Sequence, residues 1–253
     1  MSRFRAKSVV VWQVVLGAAL LAVWEVIGRS SGSTWVSEPS LIFVRLYQLL
    51  LGDLYRHLAV TVGEMVLGLA IGGVAGVLFG LWLGSSRVIG TVLRPMVVTL
   101  YNVPLITLAP LFILWFGFGM ESKVVLVAIS SFFVIFFNTF SGAQSVDEET
   151  LQSLGLMGAT SSEQFWKVVF PACLAWIIAG LKIALPYALV AATTGEMLAA
   201  RDGLGSLLAN AAATFDMTGI YTVLVVLMAL GILVSELAMR MERFMLSWRH
   251  AEG

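Results

Sequence analysis

Long apolar segments are the feature that most restricts the fold of this chain. A helix needs roughly 20 apolar residues to cross the hydrocarbon core of a bilayer, which is about 30 Å thick. Six segments approach or exceed that length, and none shows the apolar/polar alternation of a membrane strand: 9–27, 58–84, 88–116, 123–141, 172–199 and 220–239. The sequence therefore predicts an all-α, polytopic membrane protein with about six transmembrane helices.

Prolines interrupt two of these segments. The third segment contains Pro95, Pro104 and Pro110, so we expect it to be broken or to begin at the membrane surface. The fifth segment contains Pro186. Both remain long enough in total to cross a bilayer.

Composition excludes several classes of function. Hydrophobic residues make up 59% of the chain and charged residues 12%, which is typical of a membrane protein and not of a soluble domain. The formal net charge is zero, so no basic field for nucleic acid is present. We expect an N-terminal span and external interfacial segment at 1–57, followed by a core domain at 58–249.

The distribution of Lys and Arg predicts the orientation. With cytoplasmic termini, nine basic residues face the cytoplasm and five face outward, as the positive-inside rule favours. The inner set is Arg3, Arg5, Lys7, Arg87, Arg94, Lys167, Arg240, Arg243 and Arg249. The outer set is Arg29, Arg45, Arg56, Lys123 and Arg201. In this orientation the amphipathic string LIFVRLYQLL, which follows Pro39, forms a short external helix at the interface.

A polar island at residues 145–171 separates the fourth and fifth apolar segments. It is longer than a turn between two spans requires, and we expect two short helices at the cytoplasmic membrane surface. Acidic residues at 147–149 suit the positive end of a helix dipole. Gly158 permits a turn with positive φ or a close backbone approach, and Glu163 and Lys167 have the i,i+4 spacing of a helical ion pair. A helix projecting from the membrane suits a groove in a soluble partner.

Glycines recur at every fourth position of the second apolar segment, from Gly68 to Gly84. This spacing places small residues along one helix face, where a second backbone can approach closely. Static packing is the favoured interpretation; a sliding helix is the alternative.

The island resembles the cytoplasmic loop of permease subunits of bacterial ATP-driven importers. That loop has the form EAA, three residues, Gly, nine residues, then Ile-x-Leu-Pro. Here Gly158 is followed by nine residues and then by VVFP at 168–171. The first half of the motif departs from the family pattern, because QSL replaces EAA and the carboxylates lie upstream. The resemblance implies an ATPase-coupling role for Glu149, Gln152, Ser153, Leu154, Gly158, Ala159 and Pro171.

Three further strings are similar to the nitrate, sulfonate and taurine branch of these permeases: EPSLIFVRL, APLFILWFGFG and AGLKIALPYALVAATTGEMLAARDGLGSLL. The resemblance covers about residues 35–249. It implies a type I importer transmembrane domain in the bacterial cell (inner) membrane. The implied partners are two ATP-binding-cassette ATPase subunits, a second copy of this permease and an extracytoplasmic solute-binding protein. No cofactor or metal is implied.

Ionisable residues inside spans are candidates for a solute path. Glu64 and Glu196 fall toward the external side, where they could meet at the mouth of a path or serve as structural carboxylates. We expect no cation near them, since Lys182 lies toward the opposite side, and this favours a neutral, zwitterionic or cationic organic solute over an inorganic oxyanion. The other path candidates are Asn102, Ser130, Asn138 and Thr194. For Ser and Thr, a hydrogen bond to their own helix is the alternative role.

Enzyme signatures are missing from the sequence, including HExxH, GxSxG and a Walker lysine loop. ATP hydrolysis must then reside in another polypeptide. The sequence therefore predicts a permease subunit that forms the translocation path for a small organic solute and is not an enzyme. The alternative is a self-sufficient secondary transporter or channel, which would need an internal repeat or coupling-ion residues at the bilayer midplane.

Overall fold

The fold is a bundle of α-helices, described by a computed structural model for residues 2–31, 35–101, 103–199 and 201–245. Within these ranges the structure contains helices, turns and bends but no strand. The α-helices are α1 (Ser2–Ser31), α2 (Pro39–Leu51), α3 (Leu54–Gly84), α4 (Arg87–Tyr101), α5 (Ala109–Phe116), α6 (Met120–Gln144), α7 (Glu148–Leu156), α8 (Ser161–Gln164), α9 (Phe170–Ala199), α10 (Leu204–Ala213) and α11 (Met217–Met245). A 3₁₀ turn occupies Leu105–Leu108 and a π-helical turn Phe165–Val169.

Five helices of the described ranges are long and apolar enough to cross a membrane: Val11–Ser30, Leu54–Gly84, Met120–Gln144, Ser161–Ala199 and Met217–Met245. The predicted third span is not one of them. It is divided into α4, the 3₁₀ turn and α5, because Pro104 and Pro110 lack the N–H groups that a continuous helix needs. The expected break is therefore confirmed.

The packing of α3 on α6 shows that the broken segment must nevertheless cross the bundle. Gly68 of α3 packs against Val127 of α6, and Gly84 packs against Ala143, so equal steps along the two helices keep them side by side. Two consecutive long helices that run in the same direction require a connection that returns from one end to the other. Residues 85–119 make that return, which restores the sixth crossing.

Glycines on α3 allow the two backbones to approach closely. A methyl group added at Gly72 would overlap the carbonyl oxygen of Ala128. One added at Gly80 would lie 2.7 Å from the Cβ of Thr139. Such contacts are what small-residue ribbons permit in membranes. The structure thus shows the close packing that the glycine spacing predicts.

The remaining long helices alternate in direction. Helix α9 runs antiparallel to α6, since Gly180 faces Asn138 while Gly195, further along α9, faces the earlier Lys123. Helix α11 runs antiparallel to α9. We call the end that carries α7 and α8 the island end, and the opposite end, with the start of α3 and all of α10, the far end.

Candidate functional site

The polar island consists of two short capped helices, as expected. Asp147 begins α7, and its side chain accepts a hydrogen bond from the N–H of Glu149 at 3.3 Å. After α7 the chain turns at Gly158, whose φ is +89°. A Cβ there would meet nothing within 4 Å, so the glycine serves the turn and not a close approach within this chain.

Helix α8 begins with a capping box. The N–H of Thr160 donates to Glu163 Oε2 at 3.0 Å, and the N–H of Glu163 donates to Thr160 Oγ1 at 3.3 Å. Lys167 Nζ lies 2.9 Å from Glu163 Oε1, which confirms the expected i,i+4 pair. These contacts give the island a defined shape although most of its surface is exposed.

Pro171 does not separate the island from the next span. The helix is continuous from Ser161 to Ala199, and Pro171 lies just after the π-helical turn. Because proline cannot donate a hydrogen bond, the turn before it is a natural place for a change of helical pitch. The N–H of Phe170 donates to the carbonyl of Phe165, five residues earlier. The second helix of the island, α8, therefore continues into α9 without a break in the helix.

One face of the island is anchored and its tip is free. Leu151 packs on a buried apolar cluster that includes Leu81 and Val169. At the tip, Leu156 is 92% exposed and Met157 is 83% exposed. The coupling candidates fall between these extremes: Glu149, Gln152, Ser153 and Gly158 are exposed, Leu154, Ala159 and Pro171 half-buried. The tip therefore offers apolar surface outside the bundle.

At the far end, the prediction that no cation lies near the two carboxylates is wrong. Lys123 Nζ lies 2.9 Å from Glu64 Oε1, and the two side chains are only 7% and 0% exposed. Lys123 is in the first turns of α6, and the parallel packing of α3 on α6 brings it beside Glu64. The charge of Glu64 is therefore balanced, and the argument against an anionic solute fails.

Glu196 lies near this pair and is fully buried. Its Oε1 accepts a hydrogen bond from Thr61 Oγ1 at 2.7 Å, and its Oε2 accepts one from the N–H of Gly205 at 2.7 Å. Thr61 Oγ1 in turn accepts from the N–H of Leu204 at 2.9 Å. Lys123, which pairs with Glu64, also lies against Gly195, the residue before Glu196, so the three charged side chains lie in one region.

These bonds cap the N-terminus of α10 with side chains from other helices. The N–H of Gly203, the cap residue, donates to His57 Nδ1 of α3 at 3.0 Å. Together with the bonds to Thr61 and Glu196, this satisfies N–H groups that have no acceptor inside a helix. A carboxylate at this position also complements the helix dipole.

The other path candidates do not join this cluster. Ser130, Asn138 and Thr194 each donate to a carbonyl of their own helix, at 2.8, 2.8 and 2.7 Å. This is the alternative role considered for Ser and Thr. Asn102 lies outside the described residues.

A cavity of about 1090 Å³, the far-end cavity, opens beside the charged cluster. Glu64 and Lys123 line it, whereas Glu196 lies behind its wall. At its rim Arg56 Nη2 donates to Asp202 Oδ2 at 2.8 Å. Sequence reasoning missed the roles of His57, Thr61 and Lys123. Only the glycines of the string DGLGS, which follows Glu196, gave a local signal of an unusual turn.

No group of three or more possible metal ligands is found among His, Cys, Asp and Glu of the described residues. The charged cluster instead consists of a cation, two carboxylates and backbone N–H donors. Such an arrangement can stabilise buried charge and hold helices together.

Comparison with known proteins identifies the family. The family of binding-protein-dependent transport system inner membrane components matches residues 72–242. The chain belongs to this family. It is therefore a multi-pass membrane permease subunit of an ATP-binding-cassette importer and is not itself the catalytic subunit.

Two relatives illustrate the similarity. The formylaminopyrimidine transport permease protein ThiX of Halalkalibacterium halodurans is 32% identical over 231 residues, which cover 91% of this chain and 92% of the relative. The putative aliphatic sulfonates transport permease protein SsuC of Escherichia coli is 32% identical over 243 residues, which cover 93% and 91%. The predicted branch of the family is thereby confirmed.

A solved structure supports the fold. A chain of the MetNI methionine ABC transporter, in an inward-facing conformation, matches with a TM-score of 0.62 and 21% identity. The match covers 79% of this chain and 98% of that chain. The all-α, type I transmembrane fold expected from the sequence is therefore confirmed.

Proposed function

We propose that this permease carries a small organic solute, delivered by an extracytoplasmic solute-binding protein, and is coupled through the polar island to two separate ATPase subunits. The observation that carries the proposal is the island's tip. Leu156 and Met157 are almost fully exposed on a short helix that is capped at its start and joined through α8 to α9. Exposed apolar side chains at the end of a shaped element are typical of a docking surface.

The energetic reason is the burial of apolar surface. Covering a large aliphatic side chain contributes about 1.5–3 kcal/mol when it leaves water. Because caps already restrict α7 and α8, little conformational entropy is lost on docking. Force from an ATPase can then pass through α8 directly into α9, since no flexible joint separates them.

We further propose that two copies of the chain assemble with two ATPases. One chain supplies six crossings and one polar island, so a pair of ATPases needs a pair of islands. In this arrangement the island end and both termini are cytoplasmic, as the charge bias favours. ATP-driven closure of the ATPases would move the two islands and switch the path between inward-facing and outward-facing states.

The far-end cavity is our candidate for the outer part of the solute path. It is large enough for a small organic molecule. Lys123 and Glu64 line it as an ion pair without net charge. The pair therefore excludes neither a positively nor a negatively charged solute. Glu64 is the path candidate that lies in the cavity wall, although its side chain is buried there, and Glu196 supports the wall from behind.

Substitution at the tip tests the coupling proposal. Met157→Asp should leave the chain inserted in the membrane but reduce the ATP hydrolysis that co-purifies with it at least about tenfold, because a charge at a buried interface core costs several kcal/mol. The measurement is ATPase activity after affinity purification of the tagged chain from its host in mild detergent.

Ser162→Asp is the matched control. It adds the same charge at an exposed position in the first turn of α8, where acid is favourable. Co-purifying ATPase activity should therefore be retained. Equal ATPase activity in both variants would refute the docking role of the tip. In a separate experiment, solute uptake by this chain alone in lipid vesicles would favour a self-sufficient transporter.

A further inference from the structure

The turn between α9 and α10 brings two charged side chains to the rim of the far-end cavity. Arg201 and Asp202 both line the cavity. Asp202 forms its ion pair with Arg56, which belongs to α3. The position of this short turn therefore decides whether these two charges lie at the cavity mouth.

Thr61 is the centre of the contacts that tie this turn to α3. Its hydroxyl group accepts from the N–H of Leu204 and has two acceptors within reach: Glu196 Oε1 at 2.7 Å and, on its own helix, the carbonyl of His57 at 3.1 Å. The shorter distance favours donation to Glu196. The side chain is fully buried, so water cannot replace either bond. A buried hydroxyl whose donor and acceptor are both used is costly to remove, because each partner loses its own hydrogen bond.

The turn also lies directly against Glu196. Gly203 has φ of +113°, a conformation that favours glycine. A methyl group at Gly203 would overlap the carboxyl group of Glu196, and one at Gly205 would overlap the carbonyl oxygen of Thr193. The two glycines thus let the turn pack directly against Glu196 and the backbone of α9, where a larger residue would not fit.

We propose that Thr61 and Glu196 are positioning residues for the mouth of the far-end cavity. They hold the α9–α10 turn on α3, so that Arg201 and Asp202 stay at the rim while other parts of the bundle move. The functional consequence rests on the proposed place of this cavity in the solute path. The structural part, a turn fixed by two buried side chains, does not depend on it.

Hydrogen exchange tests the structural part. Thr61→Val keeps the side-chain volume but removes the hydroxyl. In the purified transporter, amides of residues 203–205 should then exchange at least about tenfold faster, whereas amides of α7 should be unaffected. Thr61→Ser, which retains a hydroxyl, should restore slow exchange.

Thr139→Val is the matched control. It also removes a fully buried threonine hydroxyl from a membrane helix, but Thr139 Oγ1 has no hydrogen-bond partner among the described residues. Exchange in the turn should therefore be unchanged. Wild-type protein gives an independent check, which does not require Thr61→Val to fold. The reference is the exposed turn after α10, residues 214 and 215. If the amides of residues 203–205 exchange as fast as those of this turn, the proposal is overturned.

Uptake measurements test the functional part. In vesicles that contain the complete transporter, Thr61→Val should raise the apparent KM for binding-protein-dependent uptake at least about threefold, with a smaller effect on the maximal rate. Fast exchange in the turn with unchanged KM would show that the rim does not select solute. If wild-type vesicles showed no binding-protein-dependent uptake, the proposed function would fail while the exchange result would still stand.

Discussion

At the scale of single residues, the partner of a buried charge decides what that charge can do. From the sequence alone, Glu64 is expected to be unpaired and to repel anions. Lys123 at 2.9 Å balances it and makes the pair a buried contact between α3 and α6. By contrast, Lys182 pairs with Glu242 at 2.6 Å, where the side chains are 42% and 31% exposed.

This difference leads to a prediction about stability. Lys123→Met leaves Glu64 buried and unpaired, so it should lower the free energy of unfolding by about 3–5 kcal/mol. Lys182→Met, at the more exposed pair, should cost about 0–1 kcal/mol. Thermal unfolding of the purified protein in detergent measures both.

A double variant separates charge from packing. Adding Glu64→Gln to Lys123→Met removes the unpaired charge and should recover most of the lost stability. If the double variant is no more stable than Lys123→Met alone, the loss comes from packing and the ion pair has little energetic weight.

At the scale of elements, the close contact of α3 with α6 depends on glycines, which have no side chain to hold the two backbones apart. Gly72 lies against the backbone of Ala128, whereas its neighbour Gly73 faces only the Ile135 side chain, at 3.3 Å from an added methyl group. Two adjacent glycines of one helix therefore have different roles. One sets the distance between the helices, and the other leaves an adaptable contact.

Alanine substitutions at the two positions test this difference. Alanine is the better helix former by about 1 kcal/mol, so any loss must come from packing. Gly72→Ala should destabilise the protein by at least about 1–3 kcal/mol, because it forces the backbones apart. Gly73→Ala should be neutral or stabilising. Similar melting temperatures for both variants would contradict the close-packing account of the ribbon.

At the scale of the whole molecule, the proposed topology rests on helix directions and on charge. The parallel arrangement of α3 and α6 requires the broken segment 85–119 to cross, so the island and the far end lie on opposite sides of the membrane. The proposed cytoplasmic location of the island follows from this arrangement and from the positive-inside rule.

Cysteine labelling in intact cells tests this orientation. In a Cys173→Ala background, Ser161→Cys on the island should resist a membrane-impermeant thiol reagent, whereas Asp53→Cys at the far end should react. Both positions are exposed, so accessibility within the bundle does not confound the result. Permeabilised cells should label both, and external labelling of Ser161→Cys would reverse the topology and remove the docking role of the island.

The sequence alone determined the features that arise locally along the chain. Apolar length predicted the spans, prolines predicted the break near Pro104, and the spacing around Gly158 predicted the island and the family. These properties follow from helix formation and from transfer into lipid, which depend on neighbouring residues. Glu163 and Lys167, one helical turn apart, could be paired for the same reason.

The tertiary structure alone decided which buried groups meet. Glu64 and Lys123 lie on different helices, and Thr61 is 135 residues from Glu196. No periodicity links such positions, because their contact depends on how closely and in which direction helices pack. Glycine spacing showed that α3 could approach another helix, but only the packed bundle selected α6 and placed Lys123 beside Glu64. The same packing places the N-terminus of α10 beside Glu196. The buried carboxylate therefore accepts a hydrogen bond from that helix, a role that the sequence did not predict.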